Sequence, residues 1–279
     1  MKGLWRLMIG LCLYSHQACS ADIEVTGVIL QKPSQKSLKK LSQSYAPTQV
    51  PLMSMHLSKQ AQNNFLARFN HMHTTALLTQ SIPASVQLGM DNVPVMNQGI
   101  HGSCVIFAAA AAIDAILKKG DYVSPLCSLQ LGSYLQTFGY IQSGWQGVLA
   151  NSVLSQLESF GFVSKQTQYE HGCGGLFEYP LIEREYGQPM PLEEFHGYSE
   201  SLLEHRIGWS SILDVYQSSH ESVDMQSLLN HVKTVLAKGD RVIIGVLLAD
   251  PELGLAGAVG THKAYNDSWL LTPEIMQDM

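Results

Sequence analysis

The sequence predicts an α+β chain, and three observations carry the prediction. Helix signals follow one another from Cys104 to Phe160, a capped helix covers residues 224–237, and residues 241–248 (RVIIGVLL) form an apolar, β-branched run that reads as a buried strand. Of 279 residues, 46% are hydrophobic and 14% charged, with a formal net charge of -6. That balance suits a globular enzyme and gives no support to nucleic-acid binding, which needs a basic surface. No repeat of solenoid or propeller period occurs.

The first 21 residues read as a secretory signal peptide. Lys2 and Arg6 precede an apolar stretch through Tyr14, and the small residues Ala18, Cys19, Ser20 and Ala21 follow. That stretch is short for a bilayer and no other run is long enough, so the mature protein is expected to be soluble, secreted or periplasmic, with no membrane attachment. His16 and Gln17 stand where a lipoprotein signal carries small or aliphatic residues, which disfavours lipidation of Cys19. Residues 31–49, rich in Ser, Lys, Gln and Pro, read as an exposed linker. Residues 58–78 read as a helix with Phe65, Leu66, Phe69 and Met72 on one face. His71 and His73 are alternate residues that diverge on a helix, so solvent-facing side chains are favoured over a metal pair. An extended entry, residues 81–92, follows.

Residues 93–119 organise the chain: a glutamine and a glycine-bearing turn lead into Cys104 and then into apolar residues without Gly or Pro until Gly120. Cys104 therefore falls in the first turn of a helix, where unpaired backbone N–H groups favour an anion, the form in which a thiol attacks. Gly102 lets the backbone approach a bound carbonyl, and the Gln98 amide is a candidate donor to an oxyanion. A free cysteine is most often a small buried hydrophobe. The glutamine and glycines beside Cys104 argue for chemistry instead.

The segment QGIHGSCVIFA resembles the nucleophile segment of the papain-like cysteine peptidases, Gln-Gly-x-Cys-Gly-Ser-Cys-Trp-Ala-Phe. Gln98, Gly99, Gly102, Ser103, Cys104, Phe107 and Ala108 match it, whereas His101 replaces the family's first cysteine and Val105 the tryptophan after the nucleophile. The resemblance implies a helical left lobe and a β-barrel right lobe, preceded by a helical prosegment. It makes residues 22–83 a linker and propeptide that covers the cleft, although the spaced Glu-Arg-Phe-Asn-Ile-Asn pattern of common prosegments is lacking, and it makes residues 84–279 the peptidase domain. It also implies peptide or protein substrates and no metal or organic cofactor.

The helix after Cys104 is expected to pack in a core and to be capped by Gly120. Ser124 and Pro125 then open a second helix as N-cap and first residue. The turn Ser143-Gly144-Trp145-Gln146-Gly147 precedes a third helix, residues 148–160, ended by Gly161. This turn is similar to the family's substrate-pairing Cys-x-Gly-Gly segment without its cysteine, which implies that Gly144 and Gly147 join Gly102 and Ser103 in binding substrate; a tight turn with Trp145 packed in the core reads equally well. In GCGGLFEYP, Cys173 reads as structural, and zinc binding by His171 and Cys173 would need two further ligands at convincing spacing. After signal removal Cys104, Cys127 and Cys173 remain; export permits a Cys127–Cys173 disulfide that leaves Cys104 free.

Residues 183–223 read as irregular, anchored by Trp209 and Tyr216, and Asp224 caps the helix before the predicted strand. The resemblance asks next for a general-base histidine and an Asn-Ser-Trp segment. The chain offers His262 in GTHKAYNDSWLLTPE, with Asn266, Ser268 and Trp269 beside it, but Asp267 and Leu270 break the motif and His262 reads better as a loop histidine. The expectation is a family member that stops short of its last strands. Two functions compete: hydrolysis of peptide bonds by Cys104, or an inactive exported scaffold that keeps the cleft as a peptide-binding or decoy surface.

Overall fold

The computed structural model describes residues 22–31, 50–75, 85–213, 216 and 224–246. Its architecture is mixed: seven helices and a two-stranded sheet among the described residues. Strands β1 (Ile23–Gln31) and β2 (Val50–Leu57) pair antiparallel from Ile23 against Leu57 to Gln31 against Val50, with an irregularity between Val25 and Gly27. Helix α1 (Lys59–Thr75) follows, where the apolar spacing predicted it, and Phe65 packs with Ile23, Leu57 and Ala61 in a small cluster separate from the main core. The side chains of Phe69, His71, Met72 and His73 lie outside the described residues, as does most of the expected linker.

Helix α2 (Cys104–Leu117) buries Ile106, Ala109, Ala110 and Ile113. Their small side chains let it lie close to its neighbours α3 (Pro125–Thr137) and α4 (Ala150–Phe160), which contribute Leu126, Leu129, Leu131, Leu135, Val153 and Leu157 to the same core. Close packing of this kind forms the molecule's main apolar reserve. The predicted caps of α3 and α4 are present: the Ser124 hydroxyl accepts from the Cys127 N–H at 3.0 Å, and Gly161 ends α4 at φ 80°. The expected cap of α2 is not. The helix stops at Leu117 and Lys118 is its cap, left-handed at φ 57° with its N–H donating to Asp114 O; Gly120, also at positive φ (72°), comes two residues later.

Two short helices lie outside the predicted ones: α5 (Lys165–His171), capped by Ser164, and α6 (Leu192–Tyr198), which buries Phe195 within the stretch expected to be irregular. The Cys127–Cys173 disulfide joins α3 to the segment after α5 with Cα atoms 5.1 Å apart. Helix α7 (Met225–Ala237) begins as predicted, with Asp224 Oδ1 accepting from the Gln226 N–H, but none of its residues is fully buried.

Two expectations are corrected here. Residues 241–246 form no strand, and Ile244 and Val246 are exposed. A β-branched run becomes a strand only beside a partner that takes up its N–H and C=O groups, and no such partner flanks it among the described residues. Arg241 instead reaches Asp91 at 3.0 Å. Tyr216 is exposed, so it is no core anchor, while Trp209 donates its indole N–H to Glu158 at 3.1 Å. Leu247, Leu248 and the region of His262 lie outside the described residues.

Candidate active site

The turn before α2 is built by short-range hydrogen bonds and two close backbone approaches. Asn97 Oδ1 accepts from the Gly99 N–H at 2.8 Å, and Gly99 adopts φ 61°, so close to Leu181 that a Cβ there would lie 2.0 Å from its carbonyl oxygen. A side chain would be disfavoured at that position on both counts. The Ile100 N–H donates to Leu181 O and the Gly102 N–H to Trp145 O, which fixes this turn to the neighbouring Gly144–Gly147 turn.

Cys104 is the first residue of α2, and its thiol is free and exposed. Ser103 before it is fully buried, at 0% exposure. Its backbone angles, φ -92° and ψ 16°, lie outside the extended region of a capping residue, and its side chain makes no capping bond to the helix. The hydroxyl meets the Tyr179 phenol at 2.8 Å instead, and that phenol donates to the Gln98 carbonyl at 3.0 Å. The Gln98 side-chain amide is folded into the turn, where Nε2 donates to His101 O at 2.7 Å. An amide nitrogen has two hydrogens, so one is left for another acceptor.

His101, which stands for a cysteine in the resemblance, is enclosed. Its Nε2 donates to the Pro180 carbonyl, which fixes the tautomer because a carbonyl can only accept. Edge contacts surround the imidazole: Trp145 at 5.1 Å, Tyr186 at 5.5 Å and Tyr179 at 5.6 Å between centroids. Burial lowers its pKa and keeps the ring neutral, with the Pro180 hydrogen bond pulling the other way. Trp145 is buried and stacks on Tyr179.

The sequence-predicted residues Gln98, Gly102, Ser103, Cys104, Gly144 and Gly147 thus share two adjoining turns. Their surroundings differ. Gly144 faces the core, where a Cβ would meet Ile106 and Leu129 at 3.1 Å, whereas Gly102 and Gly147 face β2: Cβ atoms would lie 2.5 Å from Pro51 O and 2.6 Å from Met53 Cβ respectively. Among the described residues no hydrogen bond joins a histidine to Cys104, no helix is long and apolar enough to cross a membrane, and no group of three or more His, Cys, Asp or Glu could hold a metal ion. Sequence reasoning missed Tyr179, Pro51 and Met53. The dipeptide Tyr179-Pro180 carries no local signal for its role, since the contacts span 76 and 81 residues. Compared with known families the chain matches no family model, and no curated protein matches it.

Proposed function

We propose that the chain is an exported cysteine-type endopeptidase in which Cys104 is the nucleophile. One observation supports this most: a free, exposed thiol opens a helix whose preceding serine leaves the first turn uncapped, directly after a turn that holds a glutamine amide. Helix-start N–H groups favour the thiolate and the oxyanion that forms beside it. The sulfur bonds to the substrate carbonyl carbon, the amine leaves with a proton from a histidine, and water then cleaves the thioester and restores the thiol. His262 is the one histidine the sequence offers near an Asn-Ser-Trp-like segment, although it reads better there as a loop histidine.

Strand β2 lies against Gly102 and Gly147, two of the three glycines read as binding an extended substrate. The β1–β2–α1 unit therefore acts as the covering segment, with a strand rather than the predicted helix over the turns. It must move or be cut for a substrate to reach them.

The competing reading is the inactive scaffold. One experiment divides the two. The protein is titrated with an irreversible thiol-reactive peptide inhibitor and then assayed for peptide hydrolysis. Selective labelling of Cys104 with turnover is expected; labelling without turnover supports the scaffold, and absence of selective labelling overturns the peptidase reading.

A further inference from the structure

The geometry points to Tyr179 as a positioning residue for Cys104: its phenol ties the first residue of the nucleophile turn to the last and keeps the Ser103 hydroxyl off the helix it precedes. This inference rests on the proposed role of Cys104 as nucleophile. Tyr179 has one hydroxyl proton, and the Gln98 carbonyl, which can only accept, takes it at 3.0 Å. Ser103 must then donate to the phenol oxygen at 2.8 Å, so a directed relay runs from Ser103 through Tyr179 to Gln98. Hydrogen bonds in series polarise one another in a buried setting.

Serine before a helix ordinarily turns its oxygen onto the N–H groups of the first turn and satisfies them. At Ser103 it does not, and the residue has no exposure through which water could hold it elsewhere. Those N–H groups are the same donors that stabilise a negative sulfur at Cys104. A capping serine would compete with the thiolate for them. Tyr179 removes that competitor by engaging its hydroxyl. The ring itself is fixed by stacking on Trp145 at 5.7 Å and by edge contacts with Phe107 at 5.0 Å and His101 at 5.6 Å. Burial pushes the Tyr179 phenol up to about 12, so it remains a donor throughout the neutral range.

The test is the rate of Cys104 alkylation by iodoacetamide at neutral pH, which needs no turnover. Tyr179→Phe keeps the ring and removes both bonds. If Ser103 then caps the helix with the usual strength of about 1 kcal/mol, the alkylation rate falls roughly fivefold. In the double variant Tyr179→Phe, Ser103→Ala the competing hydroxyl is gone and the rate returns towards that of the parent. General loosening of the turn would not be rescued by removing a second side chain. A parent protein whose Cys104 reacts no faster than cysteine in an unstructured peptide defeats the nucleophile reading itself. A fast parent whose rate Tyr179→Phe leaves unchanged, or a loss of rate that Ser103→Ala does not restore, defeats the role of Tyr179 alone.

Discussion

Asp114 gives a direct test of how the core supports the helix that carries Cys104. It is fully buried near the end of α2, and Oδ1 accepts from the Val123 N–H at 2.8 Å while Oδ2 has no partner among the described residues. Burial raises its pKa from 3.8 to about 6, against hydrogen bonds from Val123 and Tyr122 that pull it down. The native state therefore holds a proton between those values that the unfolded chain has lost, and stability falls as pH rises through that window. About two pH units at 1.36 kcal/mol each amount to about 3 kcal/mol, present below pH 4 and gone above pH 6. Asp114→Asn retains an oxygen for Val123 and is neutral throughout. Urea unfolding of both proteins from pH 4 to 8 should show the parent losing about 3 kcal/mol relative to the variant on the way up. His101, buried neutral, acts in the opposite direction, with stability lost as pH falls, but it is common to both proteins and cancels in the difference. Two parallel curves would refute the reasoning.

Replacing Cys127 and Cys173 together by Ala opens a link with a sequence separation of 46. Loop-closure entropy then puts the loss at about 4 kcal/mol by urea unfolding, with reductant affecting the parent and not the variant. An unchanged midpoint would show that the bond contributes nothing. Gly99→Ala and Gly89→Ala both place a side chain at a left-handed φ, but only the former meets a backbone atom, at 2.0 Å. The Gly89 variant is expected to lose about 1 kcal/mol and the Gly99 variant roughly 2–4 kcal/mol, with Cys104 alkylation slowed in the latter alone. Equal melting temperatures would show that the contact with Leu181 is not what makes position 99 demand glycine.

The parts of this chain legible in the sequence are those set by local chemistry. Ser124 followed by Pro125, Gly161 after an apolar run and Asp224 before α7 each mark a helix end by a hydrogen bond or a backbone angle belonging to a few residues. The pairing of Cys127 with Cys173 was legible too, because few thiols remained to choose between. Strand β1 was hidden because the irregularity at Val25 and Gly27 interrupts its alternation. Helices α5 and α6 have seven residues each, too few for a 3.6-residue period to show, although Ser164 and the paired Glu193 and Glu194 were available as start signals. Residues 241–246 failed in the other direction: composition proposes a strand, and neighbours decide whether one forms. In the candidate site, Gln98, Gly102 and Cys104 lie within one short stretch whose spacing groups them, while Tyr179 and Met53 arrive from distant chain positions that spacing does not encode.

His101 holds its place in the fold by contacts that its letter in the sequence does not announce. The resemblance sets a disulfide-bonded cysteine at this position, so by that comparison histidine takes away a cross-link beside Cys104. In the fold that position is among the most enclosed, bonded to Pro180 and bordered by Trp145, Tyr179 and Tyr186, so it binds the turn before α2 to the segment following α5. Each aromatic contact contributes on the order of 1 kcal/mol beyond its buried area, and the hydrogen bond a similar amount. Several such terms together approach what a disulfide supplies, with one difference in kind: none of them can be reduced. The turn around Cys104 is thus held without a cross-link of its own; the Cys127–Cys173 bond lies in the core behind it, and the thiol at position 104 has no cysteine neighbour in its own turn with which to pair.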